Sequence, residues 1–123
     1  MITKEDLIKY FQEGCKTEKN LSIGVEHEKF LFNKQLNKRI NFETVIKVFK
    51  FLEKFGWKPI KEQNNVISLY KENKSITLEP GNQIELSGAP LSSIHQNCNE
   101  SYQFLDELKK ACKRFDLKMM ATS

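Results

Sequence analysis

The stretch that decides the fold is LSIGVEHEKFLF, residues 21–32, whose two sets of alternate positions differ in kind. Alternation with a period of two predicts a β-strand, because successive side chains of a strand point to opposite faces of the sheet. One face would carry most of the aliphatic positions together with His27 and Lys29, and the other would carry Glu26 and Glu28. The strand therefore predicts a sheet with an acidic surface.

Three shorter strands are predicted further along the chain, at residues 66–70, 75–78 and 83–86. Pro80-Gly81-Asn82 is a turn signal between the last two, because proline fixes φ and glycine tolerates positive φ. Glu79 ends one of these strands, and Glu85 shares a face with Gln83 in the next. Residues 57–65 show no clear pattern and are predicted to be irregular.

Three helices are predicted from capping residues and from apolar side chains at helical spacing. Thr3 with Asp6 opens the first, Asn41 opens a second that Gly56 ends, and Ser92 or Ser93 opens the third. The expected buried faces are Leu7, Ile8 and Phe11 in the first helix, Val45, Ile46, Phe49, Leu52 and Phe55 in the second, and Ile94, Cys98, Leu105, Leu108, Cys112 and Phe115 in the third. The order α-β-α-β-β-β-α predicts an α+β fold, an antiparallel sheet with flanking helices.

Charge and composition exclude several classes of function. The net charge is +4, but all except two of the 20 basic residues are lysines, and they are scattered through the chain. A nucleic-acid-binding protein concentrates positive charge on one face, so no nucleic-acid partner is expected. No apolar run is long enough to span a membrane, and residues 1–11 lack the pattern of a signal peptide. With three cysteines and no C-x-x-C pair, the sequence predicts a cytoplasmic protein with reduced thiols.

The positions of the glutamates suggest a metal site. Glu26, Glu28, Glu79 and Glu85 lie in or at the end of predicted strands, where glutamate is disfavoured unless that face is wet or functional. Neighbouring carboxylates repel, and a divalent cation such as Mg²⁺, which prefers oxygen ligands, removes the repulsion. The residues alone leave open a second interpretation, a solvated sheet face without a ligand.

Two motifs resemble those of a known family. Residues 24–30, Gly-Val-Glu-His-Glu-Lys-Phe, resemble the G-x-E-H-E-K-F signature of glutamate–cysteine ligases of the plant and proteobacterial type. Residues 76–90 resemble that family's I-[ST]-L-E-P-G-G-Q-x-E-L-S-G-A-P motif, and shorter matches extend the resemblance over residues 10–118. Asn82 replaces the second glycine of the E-P-G-G-Q turn. Since asparagine tolerates the left-handed conformation, the turn is expected to survive.

The resemblance implies a glutamine-synthetase-like carboxylate–amine ligase fold. It implies that L-glutamate and L-cysteine are joined to γ-glutamylcysteine with ATP as co-substrate, through an acyl phosphate, in the first step of glutathione biosynthesis. By the same resemblance, Glu26, Glu28, Glu79 and Glu85 become expected Mg²⁺ ligands, and Gln83 becomes a candidate substrate-binding residue. No individual catalytic residue is assigned.

Enzymes of this family are several times longer than 123 residues. Residues 1–123 are therefore expected to form a single domain, an N-terminal fragment of a larger catalytic domain that is inactive alone. Two alternatives remain open, a ligase that uses a different amino acid and a stand-alone divalent-metal-binding or regulatory module derived from such a ligase. A sheet that lacks its remaining strands exposes an unpaired edge, so self-association is expected.

Overall fold

The computed structural model describes residues 1–120, in which three α-helices and one six-stranded sheet are formed. The helices are α1 (Lys4–Glu13), α2 (Phe42–Leu52) and α3 (Ile94–Arg114). The strands are β1 (Glu26–Asn33), β2 (Lys58–Glu62), β3 (Asn65–Lys71), β4 (Lys74–Glu79), β5 (Gln83–Ser87) and β6 (Leu117–Met120). None of the helices between residues 1 and 120 is long and apolar enough to cross a membrane.

The sheet is antiparallel throughout, with the strand order β2-β3-β4-β5-β1-β6. α2 packs on α3 and on β3, and α3 packs on β6. One face of the sheet contributes Leu31, Leu69, Ile76, Ile84 and Leu86 to the core, where all five are fully buried. The predicted α+β class is confirmed, since an antiparallel sheet carries helices over its apolar face.

The predicted helix starts are confirmed by their caps. Thr3 and Asp6 form a reciprocal capping box at α1, and Ser93 and Gln96 form another at α3. The Asn41 side chain accepts a hydrogen bond from the backbone N–H of Thr44 at α2. These side chains satisfy N–H groups that the first turn of a helix leaves without partners.

Two strands were not predicted. Residues 58–62 form β2 although 57–65 was expected to be irregular, because every residue of this edge strand is exposed and no apolar alternation marks it. β6 was also missed; it follows the third helix directly and pairs with the end of β1. Conversely, β1 begins at Glu26 and not at Leu21; in the preceding residues Ile23 makes an isolated antiparallel bridge to Leu91.

The prediction for the buried face of α3 was partly wrong. Ile94 is 57% exposed and Cys98 is exposed, whereas Leu108 and Cys112 are buried as expected. The buried side of the helix is Asn97, Glu100, Phe104, Glu107, Leu108, Ala111 and Cys112. Apolar spacing misplaced this stripe because three of its members are polar. Glu100 and Glu107 are buried against partners from other elements, and the Asn97 amide donates to the Ser93 carbonyl at the cap of its own helix.

α1 lies apart from the core. It has no buried residue, and its predicted apolar face of Leu7, Ile8 and Phe11 is about half exposed or more. The helix therefore forms from its capping box and local sequence, while its apolar face has no cover within residues 1–120.

Candidate functional site

The side of the sheet turned away from α3 is acidic. His27 of β1 lies beside the Phe104 ring of α3, at 6.1 Å between ring centroids, so the alternate positions Glu26 and Glu28 point the other way. Residues paired in register on neighbouring strands point to the same face of the sheet, and we call this one the acidic face. Its members include Glu26, Glu28 and Phe30 of β1, Thr77 and Glu79 of β4, and Gln83, Glu85 and Ser87 of β5.

Strand register brings the predicted metal ligands together to different extents. Glu28 lies directly opposite Glu85, and Glu85 is in turn opposite Thr77 of β4. Glu79 pairs with Gln83, one repeat further along that face. Glu26 lies at the other end, opposite Ser87. All four glutamates thus share one surface, with Glu28 and Glu85 at its centre.

Neutral donors hold the two central carboxylates. The Gln83 amide donates to Oε2 of Glu28, and the Ser87 hydroxyl donates to Oε1 of Glu85 at 2.9 Å. The Thr77 hydroxyl, which shares this face, is buried and has no hydrogen-bond partner among the described residues. The Glu28 and Glu85 carboxylates at the centre of the acidic face are therefore oriented, and their oxygens keep lone pairs for a further ligand.

No group of three acidic, histidine or cysteine side chains between residues 1 and 120 converges closely enough to enclose a metal ion. The donor set nevertheless suits Mg²⁺, which takes hard oxygen ligands and is often held by one or two carboxylates plus substrate phosphates. Glu28 and Glu85 offer two such carboxylates on adjacent strands. The assignment of Glu26, Glu28, Glu79 and Glu85 as ligands, and of Gln83 as a substrate contact, stays a prediction.

The opposite face of β1 has a structural role. Lys29 is only 8% exposed, and its ammonium donates to the backbone carbonyl of Glu28 at 2.9 Å. Burial lowers the pKa of Lys29, and burial together with the nearby Lys29 charge lowers the pKa of His27. Neither side chain reaches the acidic face, although both lie inside the glutamate-bearing motif.

Sequence reasoning missed Arg39, which joins the acidic face from the connector before α2. Arg39 makes an isolated bridge with Phe32 of β1, so the two share a face with Phe30. Its guanidinium lies 4.3 Å from the centre of the Phe30 ring and donates to the carbonyl of Gly81 at 3.1 Å. The sequence does contain one signal that could have singled out Arg39, since it is one of only two arginines in a lysine-rich chain.

Asn82 adopts the left-handed conformation that was expected of it, with φ of 61°. Its side chain has a second role, since the amide donates to the carbonyl of Ile40 at 2.9 Å. The substitution of glycine by asparagine therefore keeps the turn and ties it to the segment that carries Arg39.

Two buried glutamates of α3 were also missed. Glu100 accepts from the backbone N–H of Ala89 at 3.1 Å, and its carboxylate lies 3.6 Å from the Lys74 ammonium. Glu107 accepts from the Trp57 indole at 2.7 Å. These contacts anchor the segment that follows β5 and the start of β2, and so they support the sheet from the helix side.

Comparison with known proteins places these features in a family. A family model described as "Glutamate-cysteine ligase family 2 (GCS2)" matches residues 22–122. The chain is 46% identical over 109 residues to the chloroplastic glutamate–cysteine ligase A of Oryza sativa subsp. japonica, covering 88% of this chain and 22% of that protein. It is 38% identical over 122 residues to the chloroplastic enzyme of Nicotiana tabacum, covering 98% and 23%. It is also 38% identical over 117 residues to the enzyme of Arabidopsis thaliana, covering 94% and 22%.

These comparisons correct one expectation and supply one fact about length. The relatives are named as chloroplastic enzymes, and the prediction of a cytoplasmic location is therefore wrong. The chain spans less than a quarter of the length of the curated relatives it matches.

Proposed function

The chain belongs to glutamate–cysteine ligase family 2, and from that premise we propose that its acidic face is part of the metal- and ATP-binding surface of a glutamate–cysteine ligase. In the proposed reaction, ATP phosphorylates the γ-carboxyl group of L-glutamate to an acyl phosphate. The amino group of L-cysteine then displaces phosphate to form γ-glutamylcysteine, the first step of glutathione biosynthesis. The observation that carries the proposal is the placement of Glu28 opposite Glu85 on a face shared with Glu26 and Glu79.

The residues present fit the metal that this chemistry uses. Glu26, Glu28, Glu79 and Glu85 would hold Mg²⁺ together with phosphate oxygens of ATP. When bound, Mg²⁺ neutralises phosphate charge and aligns the oxygens between which the phosphoryl group passes. The chain's own polar groups orient the ligands, since Gln83 donates to Glu28 and Ser87 donates to Glu85. Gln83 would also reach a substrate lying over the same face.

We expect the 123-residue chain to lack ligase activity when isolated. Glu26 and Glu28 are exposed, so water would reach a reactive acyl phosphate formed beside them. The measurement is the release of ADP that depends on both glutamate and cysteine. Turnover clearly above the background without amino acids would contradict this expectation.

Metal binding separates the ligase proposal from a stand-alone metal-binding module. Mn²⁺ binding, followed by electron paramagnetic resonance, is expected to tighten at least several-fold when ATP is added, because such sites borrow ligands from substrate phosphates. A module that binds only metal would show the same Mn²⁺ affinity with and without ATP.

The metal assignment is tested by the double variant Glu26→Gln with Glu28→Gln. It is expected to lose most of the Mn²⁺ affinity measured with ATP. The matched control is Glu53→Gln with Glu62→Gln, which removes the same charge at two exposed positions outside the acidic face. Equal loss in both double variants would refute the assignment, because it would reflect net charge alone.

A further inference from the structure

Arg39 introduces positive charge at one end of the acidic face. The bridge between Phe32 and Arg39 continues the face beyond the start of β5, on the side where the turn at Gly81 and Asn82 leads into that strand. The four glutamates lie on the sheet itself, whereas the guanidinium lies over Phe30, next to the position of Gln83. The face therefore has a carboxylate centre and a cationic end.

The guanidinium is held in place but most of its donors remain free. It stacks on the Phe30 ring and gives one hydrogen bond to the Gly81 carbonyl. A guanidinium has five N–H donors in a planar fork that matches carboxylate and phosphate oxygens. Within residues 1–120, no ion pair involves Arg39, and the residue is exposed.

The turn is built to receive this side chain. Gly81 has φ of +76°, and a Cβ added there would lie 2.5 Å from Nη1 of Arg39, so any other residue would strain the backbone and displace the guanidinium from its present position. The Asn82 amide donates to the carbonyl of Ile40, the residue after Arg39. Two hydrogen bonds thus tie the turn to the Arg39 segment and fix the guanidinium before any ligand arrives, which lowers the entropic cost of binding.

We infer that Arg39 is an anion-binding residue of this site, which receives an anionic oxygen group of a substrate at the end of the acidic face. The inference rests on the proposed function and deepens it, because it names a contact that needs no metal. Two sources share the required chemistry, a phosphate group of the nucleotide and a carboxylate of the amino-acid substrate. In either case the ligand would reach from the carboxylate centre to the guanidinium.

The chain offers an internal control, because Arg39 and Arg114 are its only arginines. Arg114 also lies near an aromatic ring, 5.8 Å from that of Phe115, but at the end of α3 and away from the acidic face. The two side-chain Nε–H signals can be followed separately by nuclear magnetic resonance. The probes are inorganic pyrophosphate with Mg²⁺ in one arm and glutarate in the other.

The Arg39 signal is expected to shift and saturate with at least one probe, at a concentration at least threefold below any effect on Arg114. The probe that saturates first identifies phosphate or carboxylate as the source. Arg39→Gln, which keeps a polar side chain but loses the charge, should weaken binding of that probe at least fivefold. Lys38→Gln removes the same charge from the adjacent residue and should change the affinity for that probe less than twofold.

The inference would be overturned if the signals of both arginines shifted equally or if neither probe reached saturation. It would also be overturned if Lys38→Gln weakened probe binding as much as Arg39→Gln does. If Mn²⁺ binding still tightens with ATP in that case, only the role of Arg39 fails and the proposed function stands. If Mn²⁺ binding does not respond to ATP, the proposed function itself fails.

Discussion

Glu28 and Glu85 lie directly opposite each other on neighbouring antiparallel strands, and each is held by a different neutral donor. Like charges directly opposite in a sheet destabilise it. The hydrogen bonds from Gln83 and Ser87 orient the two carboxylates without neutralising them. This arrangement keeps two negative charges side by side at a cost in stability, which is typical of a site that a cation completes.

The first prediction follows from that cost. Without metal, Glu85→Gln is expected to raise the free energy of unfolding by up to about 1 kcal/mol, because it removes the repulsion with Glu28. The same variant should bind Mn²⁺ more weakly when ATP is present. Urea unfolding measures the stability, and Glu62→Gln on the exposed strand β2 is the control. A lower free energy of unfolding in Glu85→Gln would mean that repulsion between Glu28 and Glu85 does not destabilise the sheet.

The second prediction concerns the buried carboxylate of Glu107. Glu107→Ala leaves the Trp57 indole N–H without its partner and removes the carboxylate 3.8 Å from the Lys71 ammonium. We expect it to lower the free energy of unfolding by about 3 kcal/mol. Asp106→Ala breaks the exposed ion pair with Lys110 and should cost less than about 1 kcal/mol. Similar losses in the two variants would contradict the assigned role of Glu107.

The third prediction is a pH dependence that arises from His27. Burial first, and then the Lys29 charge, lower the pKa of this imidazole below its ordinary value of 6.5. A histidine with a lowered pKa in the folded state favours the neutral form, so its contribution to stability is present above pH 6.5. That contribution is lost as the pH falls through the folded pKa. Unfolding measured between pH 5 and 8 should show this loss, and His27→Gln should show less of it.

The fourth prediction is self-association through the sheet edge. Strand β2 forms one edge of the sheet. It contains Pro59 and two lysines, which block pairing with another strand. The other edge strand, β6, has the sequence LKMM with Met120 exposed. We therefore expect concentration-dependent dimerisation in sedimentation measurements, and we expect Lys118→Pro to reduce it more than Lys61→Pro does. A monomer at all concentrations would contradict the prediction.

The sequence was informative wherever a side chain acts within its own element. The alternation around Glu26 and Glu28, the capping residues Thr3 and Asn41, and the left-handed Asn82 all depend on near neighbours. Those predictions are confirmed because the geometry of a strand, a cap or a turn is set within a few residues.

What could not be predicted depends on contacts between distant segments. Glu107 is buried on α3 because Trp57, fifty residues earlier, donates to it. Arg39 reaches the acidic face only because its segment pairs with β1 and touches the turn at Gly81. β2 shows no apolar alternation, and it forms a strand because β3 pairs with it.

The space around Gly88 restricts which residues can replace it, whereas at position 82 of the turn the restriction comes from the backbone conformation. Its φ lies outside the left-handed range, but an added Cβ would collide with the Glu100 carboxylate and approach the Val25 carbonyl at 2.9 Å. Position 82 accepts asparagine in place of glycine, because asparagine tolerates the left-handed backbone and its amide also donates to the Ile40 carbonyl. Position 88 is limited by volume, so no residue with a side chain can replace glycine there unless Val25 and Glu100 both move. Variation among related chains should therefore be permitted at position 82 of the turn and absent at Gly88.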